Sequence, residues 1–452
     1  MRRILLRSFK DPFQPATAEE TLARNLIGDN VGNLVFSQST YRLLATRDTE
    51  VSTSKLGRAS VSKINAEYDH VVIPLANAFR VSFLSGLDAL SDLIERLTVP
   101  VSVVSVGTQA TVEGSYKHAA DIAPSVRRFV RAVLDRSPSI GVRGEFTRDY
   151  LHDLGFGDEH VNVVGCPSLY MYGPNLSIKK KVDALTEQSR IALNVSPYVR
   201  AMGPIALDQA NRYPNLVYMA QNRDTLALLL YGIYPEKNHR KNAEVGVPVS
   251  LEHPLIRQDR VRFFLDPYTW FGTLADYDFS FGSRIHGNIA ALLAGTPGLV
   301  LAHDSRTLEL AEYHHIPWRR LEPDVVLDAA ELYAEADWGP MNAAHPSNWE
   351  QFAAFLARHG LRHVYDVGES GADFDAAMAA VDFPPPVRTL MGAKPEELYA
   401  MKQALEDCRQ ASSARSRLEM PIARGLDMSK SVLRRGRRRW RQAERAWRKL
   451  RS

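Results

Sequence analysis

Short apolar runs alternate with amphipathic helical patterns through most of this chain, and that alternation limits the possible fold more than any other feature. "DHVVIPLAN" (69–77) has the length and composition of a strand, and "LSGLDALSDLIERL" (84–97) carries apolar residues three and four apart, the spacing of one helix face. "PVSVVSVGT" (100–108) is a continuous apolar run, followed by a helical pattern over 118–136. "SIGVRG" (139–144), "EFTRDYLHDLG" (145–155) and "VNVVG" (161–165) complete a first series. Strands that are apolar on both faces and alternate with helices belong in parallel sheets covered on both sides.

A polar, turn-rich stretch at 172–190 reads as a linker, and a second series then begins. It runs through "IALNVS" (191–196), "NLVYMAQ" (215–221), a helix at 223–232, "VRFFLD" (261–266), "PYTWFGTLADY" (267–277) and "DFSFGS" (278–283). Asp266 and Pro267 are cap and first-turn residues for the helix they introduce. Further helices are expected at 306–314 and around 351–359. A chain of 452 residues exceeds one ordinary core. The expected fold class is therefore α/β, with two Rossmann-like domains facing a cleft. The first spans 1–175 and the second 186–365. A Pro- and Ala-rich extension, 366–452, is expected to hold loosely packed helices and some disorder.

Composition narrows the function classes. The two cysteines, Cys166 and Cys408, lie far apart and outline no disulfide framework, which fits a reducing compartment. "MRRILLRSFKDPF" at the start has no apolar run of signal-peptide length, and nothing approaches a bilayer span. A cytoplasmic location is expected. The formal charge of +4 hides an asymmetry, because 434–452 holds ten Arg or Lys against one acid. The remainder is mildly acidic, so the body of the chain offers no broad surface for polyanions, and no specific nucleic-acid partner is expected. On a helix, 432–452 would place Leu433, Trp440, Ala443, Trp447 and Leu450 on one stripe among arginines. That pattern suits the interface of an anionic membrane, and its plainer alternative is a solvated basic tail.

In open α/β sheets, ligands bind at the carboxyl ends of strands beside helix N-termini. Asp29 in "NLIGDNVGNLV", Arg143 after "SIGV", Arg284 and His286 after "DFSFGS", and Arg306 after "GLVLAHD" all occupy such positions. Three guanidiniums, an imidazole and a carboxylate suit a small, densely anionic substrate. Each has a plainer reading alone: Arg143 as a surface ion pair, Asp29 as a helix cap, His286 as a structural histidine. Cys166 reads as a small buried hydrophobe. His303, His314 and His315 lack a further ligand at helix-face spacing, so no metal is expected. "SVGTQA" lacks the later glycines of a dinucleotide fingerprint.

Taken in order, "GDNVGN", "VPVSVVSVGTQ", "IGVRGEFTRDYLHDLGF", "VNVVGCPSLY" and "YDFSFGSRIHGNIAALLAGTPGLVLAHDSRTLELAEYHHIP" resemble the polysaccharide pyruvyl transferase family over roughly 25–360. The last of these looks like the family's Arg-x-His-Gly hallmark. The resemblance implies two domains like those of the GT-B glycosyltransferases, acceptor side first and donor side second. It implies transfer of pyruvate from phosphoenolpyruvate to a saccharide as a cyclic ketal during cell-surface glycan biosynthesis, and a lipid-linked acceptor is expected. It carries catalytic roles to His286 and Asp29, and phosphoenolpyruvate binding to Arg284, Arg143, Arg306 and Gly287, with no cofactor beyond that co-substrate. Where relatives commonly have Lys this chain has Arg306, and Cys166 stands where they often have Asp. The alternatives are a GT-B-type nucleotide-sugar glycosyltransferase, or a catalytically inactive carbohydrate-binding relative. A lipid-linked acceptor would place the protein on the inner face of the plasma membrane.

Overall fold

The computed structural model describes residues 1–56, 60–109, 119–234, 239–323 and 325–392. The proposed amphipathic helix at 432–452 lies outside these described residues.

Two parallel sheets carry the chain, as the alternating pattern predicts. The first has β1 (Arg2–Arg7), β2 (Thr49–Ser54), β3 (His70–Pro74) and β4 (Val101–Val104) in the order β2-β1-β3-β4. A parallel pair, β5 (Ile140–Val142) and β6 (Val161–Val163), continues it beyond β4 through a bridge between Val106 and Val142. A short ribbon, Asn77–Phe79 paired with Gly107–Thr108, projects from the carboxyl end of this sheet. The apolar run at 100–108 is thus two strands, broken at Ser105, whose φ of 63° is left-handed.

The second sheet comprises β7 (Ile191–Asn194), β8 (Leu216–Ala220), β9 (Val261–Phe263), β10 (Phe279–Gly282), β11 (Gly298–Ala302) and β12 (Trp318–Arg320). Its order, β9-β8-β7-β10-β11-β12, is that of a doubly wound dinucleotide-binding fold. The chain reverses direction between β7 and β10, so a crevice opens there at the strands' carboxyl ends.

Eight helices matter for the site. They are α1 (Gly32–Leu44), α2 (Glu145–Asp153), α3 (Arg223–Tyr231), α4 (Pro267–Leu274), α5 (Ile285–Leu293), α6 (Ser305–Tyr313), α7 (Gly339–Arg358) and α8 (Ala372–Ala379). Asp266 caps α4 as expected, accepting from the Thr269 N–H at 2.8 Å. Ile27, Val31, Leu34 and Val35 share one core with the strands of the second sheet. α7 crosses back, and its Trp349, Phe352, Phe355 and Leu356 pack on Ile4, Leu6, Val72 and Val104 of the first sheet. The two sheets are therefore clamped together from opposite ends of the chain.

Loose packing beyond 365 is corrected for the described part of that segment. Phe374 and Met378 of α8 are buried, and Asp375 receives both Nε and Nη2 of Arg42, at 2.7 and 2.6 Å. No helix among the described residues is long and apolar enough to cross a membrane.

Candidate active site

A buried polar network builds the crevice at the switch point. Asn194, the last residue of β7, donates to Ser280 Oγ and Asn288 Oδ1, both at 2.9 Å, and accepts from Gln221 Nε2 at 3.1 Å. Ser283 Oγ accepts from the Ser196 N–H at 2.9 Å. These bonds lock β7, β8 and the start of α5 to one another. Gly287 packs directly on Asn194 and Gln221, where any side chain would collide. Helix-to-sheet approach therefore accounts for a glycine there.

Arg284 opens α5, and no side chain caps that helix. Its Nη2 donates to Asn222 Oδ1, its guanidinium lies 5.2 Å from the centroid of the Tyr198 ring, and its Nε is buried without a hydrogen-bond partner. At the end of β11, Asp304 caps α6 through the Thr307 N–H at 3.1 Å and holds Arg306 Nε at 2.7 Å. Burial works to raise the Asp304 carboxyl, but Arg306 and His303 outweigh it and bring it down to about 2. Arg306 also reaches Tyr198, Nη2 to Oη at 3.4 Å. One phenol thus touches both guanidiniums of the second half.

The first half supplies Arg143, only 3% exposed. Its Nη2 donates to the carbonyl of Ser105 at 3.4 Å, and its Nε, too, is buried without a partner. The stem lies flat on Gly107, whose missing side chain makes room for it. The strained Ser105 turn thus serves to aim a carbonyl at a buried cation. Burial lowers the Arg143 pKa, and the Glu309 carboxylate is the chief opposing influence. Glu309 comes from α6 of the second half, so this attraction acts between the two halves.

His286 sits between Arg143 and Arg284. Burial, with those two cations, drives its pKa down to about 3, so at neutral pH its ring is uncharged. Nε2 is 3.7 Å from Cys166 Sγ, and the ring packs against Phe36 at 5.5 Å between centroids. The Cys166 thiol is pushed up by burial and donates to Ser168 Oγ at 3.3 Å, which fits a protonated thiol supporting the imidazole.

Asp29 occupies the rim. Its side chain is 70% exposed and pairs with Arg223 Nε at 3.3 Å. The Val31 N–H donates to the Gln221 carbonyl at 3.0 Å, and the Arg223 N–H to the Asp29 carbonyl at 3.1 Å. The N-terminal loop is therefore stitched to the residues beside Arg284. Of the sequence candidates, Arg143, buried, and Arg284 and His286, both part-buried, come together in one group, Arg306 joins them through Tyr198, and Asp29 stands outside it.

Three further residues, Tyr198, Arg80 and Glu309, escaped the sequence reading, and His303 was weighed there only as a metal ligand. Tyr198 and His303 follow β7 and β11, so the strand-end rule that singled out Arg284 could have found them. Arg80 follows the Asn77–Phe79 strand and is half-buried with an unpartnered Nε. Burial lowers its pKa, with Arg306 adding to the effect and Tyr198 and Asp29 opposing it. Glu309 lies within a helix and leaves no local signal. Among the described residues, no three His, Cys, Asp or Glu side chains are grouped to hold a metal ion.

Fold and site define an α/β protein with a cationic crevice at a topological switch point, shared by two Rossmann-like halves. The model of the polysaccharide pyruvyl transferase family matches residues 30–305, more than half of the chain, and the chain belongs to that family. No curated protein matches it in sequence. Similar solved structures include the UDP-GlcNAc 2-epimerase of Methanocaldococcus jannaschii in complex with UDP-GlcNAc and UDP, at 10% identity and a TM-score of 0.44 over 79% of this chain and 99% of that one. Another is S. aureus MnaA with UDP, at 14% identity and a TM-score of 0.40 over 79% of this chain and 98% of that one. A third is Anabaena Alr3699/HepE with UDP and glucose, at 13% identity and a TM-score of 0.38 over 84% of this chain and 98% of that one.

Proposed function

We propose that this chain transfers pyruvate from phosphoenolpyruvate to a saccharide as a cyclic ketal, in the biosynthesis of a cell-surface glycan. The observation that carries this reading is the pair Arg143 and Arg284, one from each half, flanking His286 with buried Nε atoms that lack partners. A buried donor without an acceptor is costly, about 1–3 kcal/mol, and an incoming anion would remove that cost. Phosphoenolpyruvate brings two anionic groups on one small skeleton, and guanidinium forks match both through paired hydrogen bonds.

In this reading Arg284 and Arg306 hold the phosphate, and Arg143 holds the carboxylate from the opposite side. Protonation of the methylene carbon leaves an oxocarbenium-like centre at the neighbouring carbon. One acceptor hydroxyl attacks that centre, phosphate departs, and a second hydroxyl closes the ketal. Charge accumulating on the leaving phosphate is stabilised by cations already in place. His286, neutral before substrate enters, is suited to take a proton from an attacking hydroxyl, and the anion beside it would raise its basicity. Such positioned proton transfer contributes about 10²–10⁴ in rate. Asp29, at the rim, would meet the acceptor.

The test is to offer the full chain phosphoenolpyruvate or a nucleotide sugar, with the glycan fraction of its own cells as acceptor. Release of inorganic phosphate from phosphoenolpyruvate alone supports the reading. Release of nucleoside diphosphate instead refutes it.

A further inference from the structure

The transfer needs an acid for the methylene carbon, and the residues assigned so far do not supply one in the resting site. His286 is uncharged and faces Cys166. Asp29 is exposed and engaged with Arg223. Both Glu309 oxygens are taken by Thr147, from its N–H at 2.7 Å and its hydroxyl at 3.1 Å. The Cys166 thiol is directed to Ser168.

We infer that Tyr198 is a catalytic residue of this site, the proton donor to the methylene carbon of phosphoenolpyruvate. The inference rests on the proposed function and goes beyond it. Tyr198 lies just past β7, at the switch point. Its ring covers the Arg284 guanidinium at 5.2 Å, and its Oη is 3.4 Å from Arg306 Nη2. A substrate anion held by Arg284 and Arg306 must therefore lie against this phenol. Tyr198 is 46% exposed, so the cleft side of the ring is open to a ligand. His303, with its ring centroid 6.1 Å away, Asp304 and Arg80 complete its polar surroundings. Burial works against ionisation of the phenol, but Arg284 and Arg306 outweigh burial and bring its pKa below the ordinary value, which makes it a stronger acid than free tyrosine.

The Tyr198 O–H bond breaks, and its proton bonds to the methylene carbon through the π electrons of the enol double bond. The phenolate left behind sits between Arg284 and Arg306. The first acceptor hydroxyl bonds to the cationic carbon and returns its proton to Tyr198. Phosphate leaves with the electrons of its carbon–oxygen bond, the second hydroxyl takes its place, and that proton passes through His286 to phosphate. One hydroxyl proton ends in the new methyl group and the other on phosphate.

Tyr198→Phe keeps the ring over Arg284 and removes only the hydroxyl. With the full chain, phosphoenolpyruvate and the glycan fraction, kcat should fall about 10²–10⁴-fold. Phosphoenolpyruvate affinity by calorimetry and the melting temperature should stay near wild type. The wild-type rate should also decline on the alkaline side, below the usual tyrosine range, as the phenol ionises, and the variant should lack that limb. A variant kcat within twofold of wild type, with wild type active, overturns the inference and leaves the proposed function standing. A wild-type chain that releases no phosphate overturns both.

Discussion

Glu309 on α6 accepts hydrogen bonds from both the backbone N–H and the hydroxyl of Thr147, the third residue of α2, and so caps a helix belonging to the other half of the molecule. Gly144, at the N-cap position, offers no side chain for that task. The same carboxyl faces Arg143. Burial pushes its pKa up to about 7, with Arg143 and Thr147 opposing. A carboxyl with a raised folded-state pKa binds its proton more tightly folded than unfolded, so its contribution to stability is lost as pH rises from about 4.5 to about 7. Glu309→Gln should remove that decline. Melting temperatures across the window, compared between wild type and variant, check it: the difference should move in favour of the variant as pH rises.

Several histidines contribute with the opposite sign. His70 and His314 are held down to about 3, and His253 and His359 to about 4, each chiefly by burial, as His286 is to about 3. These groups bind fewer protons folded than unfolded, so their contribution is present above pH 6.5 and is lost as pH falls toward 3. Wild type should therefore unfold in mild acid, well above the pH at which Asp304 titrates. Circular dichroism during an acid titration would show it.

His286→Ala should abolish transfer while the melting temperature stays near wild type, because the ring borders the crevice and its Nε2 faces Cys166. A large drop in melting temperature with activity per folded molecule unchanged would make the residue structural.

For Arg284→Lys we expect at least about a tenfold loss of phosphoenolpyruvate affinity, since the lost charge-assisted hydrogen bonds are worth about 1.5–3 kcal/mol. Lysine keeps the charge but not the planar fork. Calorimetric titration with phosphoenolpyruvate measures this, and unchanged affinity would remove Arg284 from the anion site.

How much of this was legible in the sequence depends on burial. Five strands of the second sheet read clearly because residues such as Ile191–Asn194 and Gly298–Ala302 are buried on both faces and leave continuous apolar runs, whereas β12, exposed at all three residues, was missed. β1 was missed because Arg2, Arg3 and Arg7 bracket only three apolar residues, and β2 because Val51 is its one buried residue. α7 was anticipated only near its end, since Gly339, Pro340 and Pro346 mask its first twelve residues, although proline at the first turn is well tolerated. Arg143, Arg284 and Arg306 follow strands, where topology aims side chains at the cleft. Glu309 reaches the site through the packing of α6 on α2, which no local pattern encodes.

The basic stretch 432–452 lies outside the described residues, and its prediction rests on sequence alone. With anionic liposomes the full chain should sediment at low salt and be released at high salt, while a chain ending at Lys430 stays in solution. Each basic residue near such a surface contributes about 1 kcal/mol. Both chains remaining in the supernatant at low salt would exclude the membrane role.

In the proposed function, the crevice between Arg143 and Arg284 passes pyruvate from phosphoenolpyruvate to a sugar. Carbon-13-labelled phosphoenolpyruvate, the full chain and the glycan fraction, followed by mass spectrometry of the glycan, test it directly. Labelled glycan heavier by pyruvate less water is expected, with an equal amount of phosphate released and neither product formed by His286→Ala. Unlabelled glycan, in a reaction where the protein is folded and binds phosphoenolpyruvate, would contradict it.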